Sequence, residues 1–278
     1  MTTLLPLTLI FVTIDAINNN INIQKEYALL NYALTGLLRF QHMKDIPLNE
    51  RIILALDVET AEQAKELVKR TESHISFYKV GLQLFMASWF NIVDWLSARG
   101  HKVMVDLKFF DIPETVKLAV AQLNSHQVTF ATIHGNDPII KAAVEAKGDL
   151  ALLAVTVLTS FGEDDMQAMG MTKSIEDLVY FRAKRALELG CDGVVSSGME
   201  AKRLRDKLGS KLMVVTPGIR PGVNLYNEQD DQQRIVTARQ AITDGVDYLV
   251  VGRPISKAAD PIGVISSLQE EIKQGLST

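Results

Sequence analysis

From Arg51 onward the chain repeats one unit. A short run of branched apolar residues ends at a polar residue, and an amphipathic run follows. The apolar runs are Ile52–Leu56, Phe77–Val80, Val103–Val105, Phe130–Ile133, Leu152–Val157, Gly193–Val195, Leu212–Val215 and Tyr248–Val251. Such unbroken runs fit strands buried on both faces. The intervening segments predict helices over Ala61–Arg70, Gln83–Ala98, Thr115–Asn124, Ile139–Ala146, Ile175–Leu189, Glu200–Leu208 and Ala238–Asp244, with a last one over Ile262–Gln274. Ala64, Leu67 and Val68 keep helical spacing, as do Phe181, Ala183 and Leu187. Strict alternation of strand and helix predicts a parallel sheet, and eight units predict its closure into a (β/α)₈ TIM barrel of the α/β class. An open doubly wound sheet is the alternative, weakened because no Gly-x-Gly-x-x-Gly follows any strand.

Polar residues stand at the same end of every unit. They are Asp57, then Lys79 within the second run, Asp106 and Lys108, His134-Gly135, Thr159-Ser160, Ser196-Ser197, Thr216-Pro217-Gly218 and Gly252-Arg253. In a barrel these ends meet on one face, where catalytic groups gather. Two connections on that face are long, Thr159 to Ser174 and Gly218 to Thr237, and are candidate lids. Gly252-Arg253-Pro254 suits a phosphate: glycine permits close backbone approach, and arginine supplies a two-pronged donor.

Residues 1–48 do not share the repeat, so the chain divides into an N-terminal extension over 1–48 and a single barrel domain over 49–278. Leu4 to Ile14 is apolar but too short to span a bilayer, and no basic residue precedes it as in a signal peptide. Asn18 to Asn22 is a polar break, and Tyr27 to Phe40 fits a short amphipathic helix. Met43 opens a plausible start for the compact domain, so residues 1–42 read as a translated upstream region or a poorly packed appendage; a targeting or partner-binding helix is the rival. A net charge of −4 over 278 residues gives no footprint for nucleic acid or an anionic membrane. The lone Cys191 excludes an internal disulfide, and the five scattered histidines form no metal-ligand cluster. A cytoplasmic protein without a metal is expected.

The densest chemistry lies in Val103 to Val116, VMVDLKFFDIPETV. Asp106 and Lys108 are two apart and share one side of an extended chain, and Pro113 with Glu114 reads as a helix start. A lysine between the carboxylates of Asp106 and Asp111 would be held protonated, a proton donor beside negative charge. The bland reading is a solvated ion pair of little worth.

The run Asp106-x-Lys108-x-x-Asp111-Ile112-Pro113-x-Thr115 resembles the signature of the orotidine 5'-phosphate decarboxylase family in its bacterial form. Its shorter Asp-x-Lys-x-x-Asp core is shared with hexulose-phosphate synthase and keto-gulonate-phosphate decarboxylase. The resemblance extends from Arg51 to about Leu268. It implies that Asp57 contacts the ribose, that Lys79 belongs to the charged network, and that Thr159, in TVLTS, lies on the pyrimidine side. It further implies that Arg220, in TPGIRP, helps hold a phosphate loop, that Gln232 closes that loop on the phosphate, and that Gly252 and Arg253 form the final phosphate site. Phe110, Glu114 and Asp230 depart from the family pattern, where histidine, asparagine and glycine are common. The extra charge of Asp230 beside the lid would weaken phosphate binding.

The activity so implied is decarboxylation of orotidine 5'-phosphate to UMP and CO₂ in pyrimidine synthesis, with no cofactor. Lys108 would protonate C6, Asp106 would lie near the departing carboxylate, and Lys79 and Asp111 would fix the network. The resemblance also implies a homodimer with shared sites, in which Asp111 and Thr115 serve the neighbouring barrel. Two rivals stand beside it: a Mg²⁺-dependent sugar-phosphate lyase or decarboxylase on the same barrel, and a non-catalytic barrel that binds a phosphate ligand.

Overall fold

The eight apolar runs form the strands of one closed sheet, in chain order: β1 Ile52–Ala55, β2 Phe77–Gly81, β3 Lys102–Phe109, β4 Phe130–His134, β5 Ala151–Val155, β6 Gly193–Val195, β7 Met213–Thr216 and β8 Tyr248–Val251. Every neighbouring pair is parallel, and β8 closes on β1. The (β/α)₈ barrel is therefore the architecture. The computed structural model describes residues 46–222 and 234–277. The compact unit containing the barrel begins at Ile46, which is itself buried. The upstream readings for residues 1–42 lie outside the described residues.

Alternation along the strands separates two cores. Outward-facing residues such as Leu54, Val80, Val105, Ala131, Val194, Val214 and Leu249 pack with helix residues in one large cluster. Inside the barrel, Phe77 of β2, Phe130 of β4 and Tyr248 of β8 pack tilted and edge to face, with centroids 4.9, 5.2 and 5.7 Å apart. Alternate strands fill one layer of such a barrel. Two residues further along the same strands stand Lys79, Thr132 and Val250. The aromatic layer is thus a dry floor beneath polar groups at the C-terminal mouth.

The helices follow the expected segments with boundary shifts, and most start at residues suited to helix ends. Thr60 and Gln63 form a reciprocal cap before Ala61–Thr71, and Pro113 takes the first position of Pro113–Leu123. One expectation fails. The segment Gln83–Ala98 is not one helix but two, Leu82–Ser88 and Phe90–Ala98, broken at Trp89 with φ 51°. The Ser88 hydroxyl bonds back to the Leu84 carbonyl, and Phe85, Trp89 and Phe90 gather their rings at the break. The long connection after β5 is also less open than its length suggests. It carries a helix at Glu163–Ala168, pinned by the buried Met166 and by the Glu163 carboxylate accepting the Ile175 N–H.

Candidate active site

The third strand does not stop at Val105 as its hydrophobicity implies; it runs on through Asp106 and Lys108 to Phe109. Its register slips on the way. Val105 stands opposite Ala131 but Phe109 opposite Ile133, so four steps along β3 cover two along β4. Lys108 takes up the surplus with a left-handed φ of 49°. This bulge turns charged residues into the mouth, where a strand of ordinary geometry would have continued its ladder.

A chain of alternating charges results. Lys79 Nζ lies 3.0 Å from Asp57 Oδ1 and 3.5 Å from Asp106 Oδ2. Lys108 Nζ lies 2.9 Å from Asp106 Oδ1. Within one chain the lysine held between two carboxylates is Lys79, reached from Asp57 and Asp106, and not Lys108 between Asp106 and Asp111. Burial opposes the charge on Lys79, yet the carboxylates of Asp106 and Asp57 and their hydrogen bonds hold its pKa above the ordinary lysine value. Burial likewise pushes Asp106 up, but Lys79, Lys108 and the hydrogen bonds from Lys108 and Thr132 hold it below the ordinary carboxyl value. Gly81 makes room for the array: a Cβ there would come within 3.0 Å of Lys79 Nζ and 3.2 Å of Asp57 Oδ1.

These groups line one side of a cavity of about 280 Å³. Val157, Leu158, Thr159 and Ser160 form the wall beyond β5, and Gly218, Arg220, Gly252 and Arg253 line it from the ends of β7 and β8. The cavity is thus lined by alternating charges where β1, β2 and β3 end, by apolar groups and hydroxyls beyond β5, and by arginine and glycine beyond β7 and β8. The structure brings together Asp57, Lys79, Asp106, Lys108, Thr159, Arg220, Gly252 and Arg253. It does not bring Asp111 or Thr115 to the cavity of their own chain. Both are exposed, and the Asp111 carboxylate accepts the Ile112 N–H at 2.6 Å. Gln232 and Asp230 lie outside the described residues. Among the described residues, no three His, Cys, Asp or Glu side chains are grouped as a metal site.

Three contributors were not singled out from the sequence. One is Gly81, and another is Thr132, whose hydroxyl donates to Asp106 Oδ1 at 2.9 Å. The third is the buried pair of Arg234 and Glu200, 2.6 Å apart. Arg234 Nη2 also donates to the carbonyls of Val157 and Leu158, at 3.2 and 3.0 Å, so one guanidinium fixes the wall beyond β5. No local pattern announces this pair, because its members are 34 residues apart.

Comparison with known proteins bears on the chemistry. Residues 50–268 match the family described as Orotidine 5'-phosphate decarboxylase / HUMPS family. Over 235 residues the chain is 52% identical to the orotidine 5'-phosphate decarboxylase of Methylococcus capsulatus, covering 84% of this chain and 96% of that one. The enzyme of the same name from Xanthomonas euvesicatoria is 45% identical over 231 residues, 82% of this chain and 94% of that one. Among solved structures, orotidine 5'-phosphate decarboxylase from Lactobacillus acidophilus superposes with a TM-score of 0.71 at 31% identity, covering 80% of this chain and 99% of that one. No described helix is long and apolar enough to cross a membrane.

Proposed function

The chain belongs to the orotidine 5'-phosphate decarboxylase / HUMPS family, and we propose that it is a carboxy-lyase converting orotidine 5'-phosphate into UMP and CO₂. One observation carries this choice within the family: the fixed Asp57–Lys79–Asp106–Lys108 array at the cavity mouth. Both cavity carboxylates are already matched by lysine ammonium groups. A site for a metal-stabilised enediolate would present its carboxylates to the ion instead.

The chemistry asks for such an array. Breaking the bond from C6 to the carboxylate leaves its electron pair on C6, in the plane of the ring and outside its π system. A positioned cation is the remaining source of stabilisation. In our reading Lys108 offsets that charge and donates its proton to C6 as CO₂ departs, then regains a proton from water. Asp106 faces the departing carboxylate and orients Lys108, while Lys79 holds Asp106 ionised. Asp57 takes the ribose, Thr159 the pyrimidine edge, and Arg220, Gly252 and Arg253 the phosphate, with Gln232 as a further phosphate contact. Phosphate binding far from C6 would supply energy that is realised in turnover.

We further read the active form as a homodimer in which Asp111 and Thr115 complete the partner's site. Their exposure supports this, as do the flanking apolar side chains, Phe110 at 65%, Ile112 at 69% and Leu118 at 60% exposed. The division into an extension over 1–48 and a barrel over 49–278 is part of the same proposal. It is supported by the family match, which covers residues 50–268. The cytoplasm, where nucleotides are made, is the proposed location.

The test is UMP formation by the purified protein before and after exhaustive dialysis against EDTA. Equal turnover in both supports the reading. Dependence on added Mg²⁺ favours the sugar-phosphate rival, and failure to form any UMP refutes the assignment.

A further inference from the structure

The hydroxyl of Thr132 sits where the bulge of β3 meets the charged array. Thr132 is fully buried on β4, in the inward row that begins at Phe130. Its Oγ1 accepts the backbone N–H of Lys108 at 2.9 Å and donates to Asp106 Oδ1 at 2.9 Å. A hydroxyl has one proton, so the two bonds fix its orientation: proton to the carboxylate, lone pair to the amide.

Both bonds fall at points the fold leaves weak. Lys108 is a non-glycine residue in the left-handed region, a conformation that persists only where its surroundings impose it. The slipped register takes its N–H out of the regular ladder, and a buried amide needs a partner. Asp106 Oδ1 receives both Thr132 and the Lys108 ammonium, while Lys79 approaches Oδ2. The same hydroxyl therefore ties the backbone of Lys108 to the carboxylate that receives its side chain.

We propose that Thr132 is a positioning residue for the decarboxylation, clamping the β3 bulge so that the Lys108 ammonium and the Asp106 carboxylate keep one fixed relation to C6. The inference rests on the decarboxylase reading. It adds a residue that touches neither substrate nor reacting atoms. Misplacing a catalytic group by about 1 Å is enough to cost roughly 100-fold in rate.

The experiment compares Thr132→Val, which keeps the shape and removes the hydroxyl, with Thr132→Ser, which keeps the hydroxyl. Val should lower kcat about 100-fold with KM within about threefold of wild type, and Ser should restore kcat to within about fivefold. Loss of a hydrogen bond to the carboxylate should also move the acid limb of the Val variant's pH–kcat profile to higher pH. In the same proteins, hydrogen exchange at the Lys108 amide should be slow in wild type and Ser and fast in Val. If Val does not fold, Thr132→Cys, a poor hydrogen-bonding partner of similar size, must show the kcat loss. Wild-type kcat in the Val variant, or a Ser variant as impaired as Val, overturns the proposal. A wild-type protein that forms no UMP overturns the decarboxylase reading instead, and slow exchange at Lys108 would then show the clamp to be structural only.

Discussion

Lys108 Nζ meets Asp106 Oδ1 at 2.9 Å across a bulge in their own strand, with the Lys108 backbone at φ 49°. Neighbours two apart on a regular strand already share a face. The bulge adds direction, turning the pair to the barrel mouth and leaving the Lys108 side chain one-third exposed beside a nearly buried carboxylate. A proton donor needs that combination of a fixed partner and access to the reacting atom.

Lys79 spans two carboxylates, and its removal takes one of two cations from the nearly buried Asp106, which keeps Lys108 and Thr132. Lys79→Ala should destabilise the fold by about 3 kcal/mol at pH 7, the scale of breaking a buried ion pair. The sign with pH follows from Asp106. Its folded pKa is depressed in wild type, so its contribution is present above the unfolded value and lost as pH falls through the folded one. Without Lys79 that support weakens, and Asp106 takes up its proton at higher pH in the variant than in wild type. The stability gap between wild type and variant should therefore narrow on acidification below about pH 4. Denaturant melts across pH measure it, and a gap that widens in acid would contradict the account.

Arg253 tests the division of labour along the cavity. Arg253→Ala should lower kcat/KM for orotidine 5'-phosphate about 100-fold, the scale of truncating a charged hydrogen-bonding partner. It should change turnover of phosphate-free orotidine by less than about threefold, since that reaction never used the contact. Equal losses on both substrates would make Arg253 structural.

The strands were legible because a parallel sheet buried on both faces writes itself as unbroken apolar runs, each ended by the polar residue that reaches the mouth. Asp57, Lys79, Asp106, Lys108, Thr159, Arg220 and Arg253 were found that way or through the family signature. What escaped has physical reasons. Hydrophobicity ends β3 at Val105, but Asp106 is satisfied by Lys79, Lys108 and Thr132, so the strand continues through charge. Thr132 looks like an ordinary β-branched strand residue. Only its parity with Phe130, matching Lys79 with Phe77, marks it as inward. The break at Trp89 follows no glycine or proline. Arg234 and Glu200 meet only because β6 and β7 lie side by side, bringing together the segments that follow them.

The shared-site proposal predicts complementation. Lys108→Ala and Asp111→Asn should each be inactive alone. Unfolded together and refolded, random pairing gives roughly half mixed dimers, each with one doubly damaged and one intact site. About a quarter of the wild-type activity should return. No recovery, with mixed dimers present by native mass spectrometry, would put Asp111 in its own subunit's site.

The central claim is that Lys108 delivers the proton to C6. In D₂O, wild-type turnover of orotidine 5'-phosphate should give UMP carrying one deuterium at C6. Lys108→Ala should lose roughly 10⁴-fold in turnover, the upper end for a general acid, while its thermal unfolding stays within about 4 °C of wild type. A Lys108→Ala protein that retains a large part of the wild-type rate and still labels C6 would contradict the account.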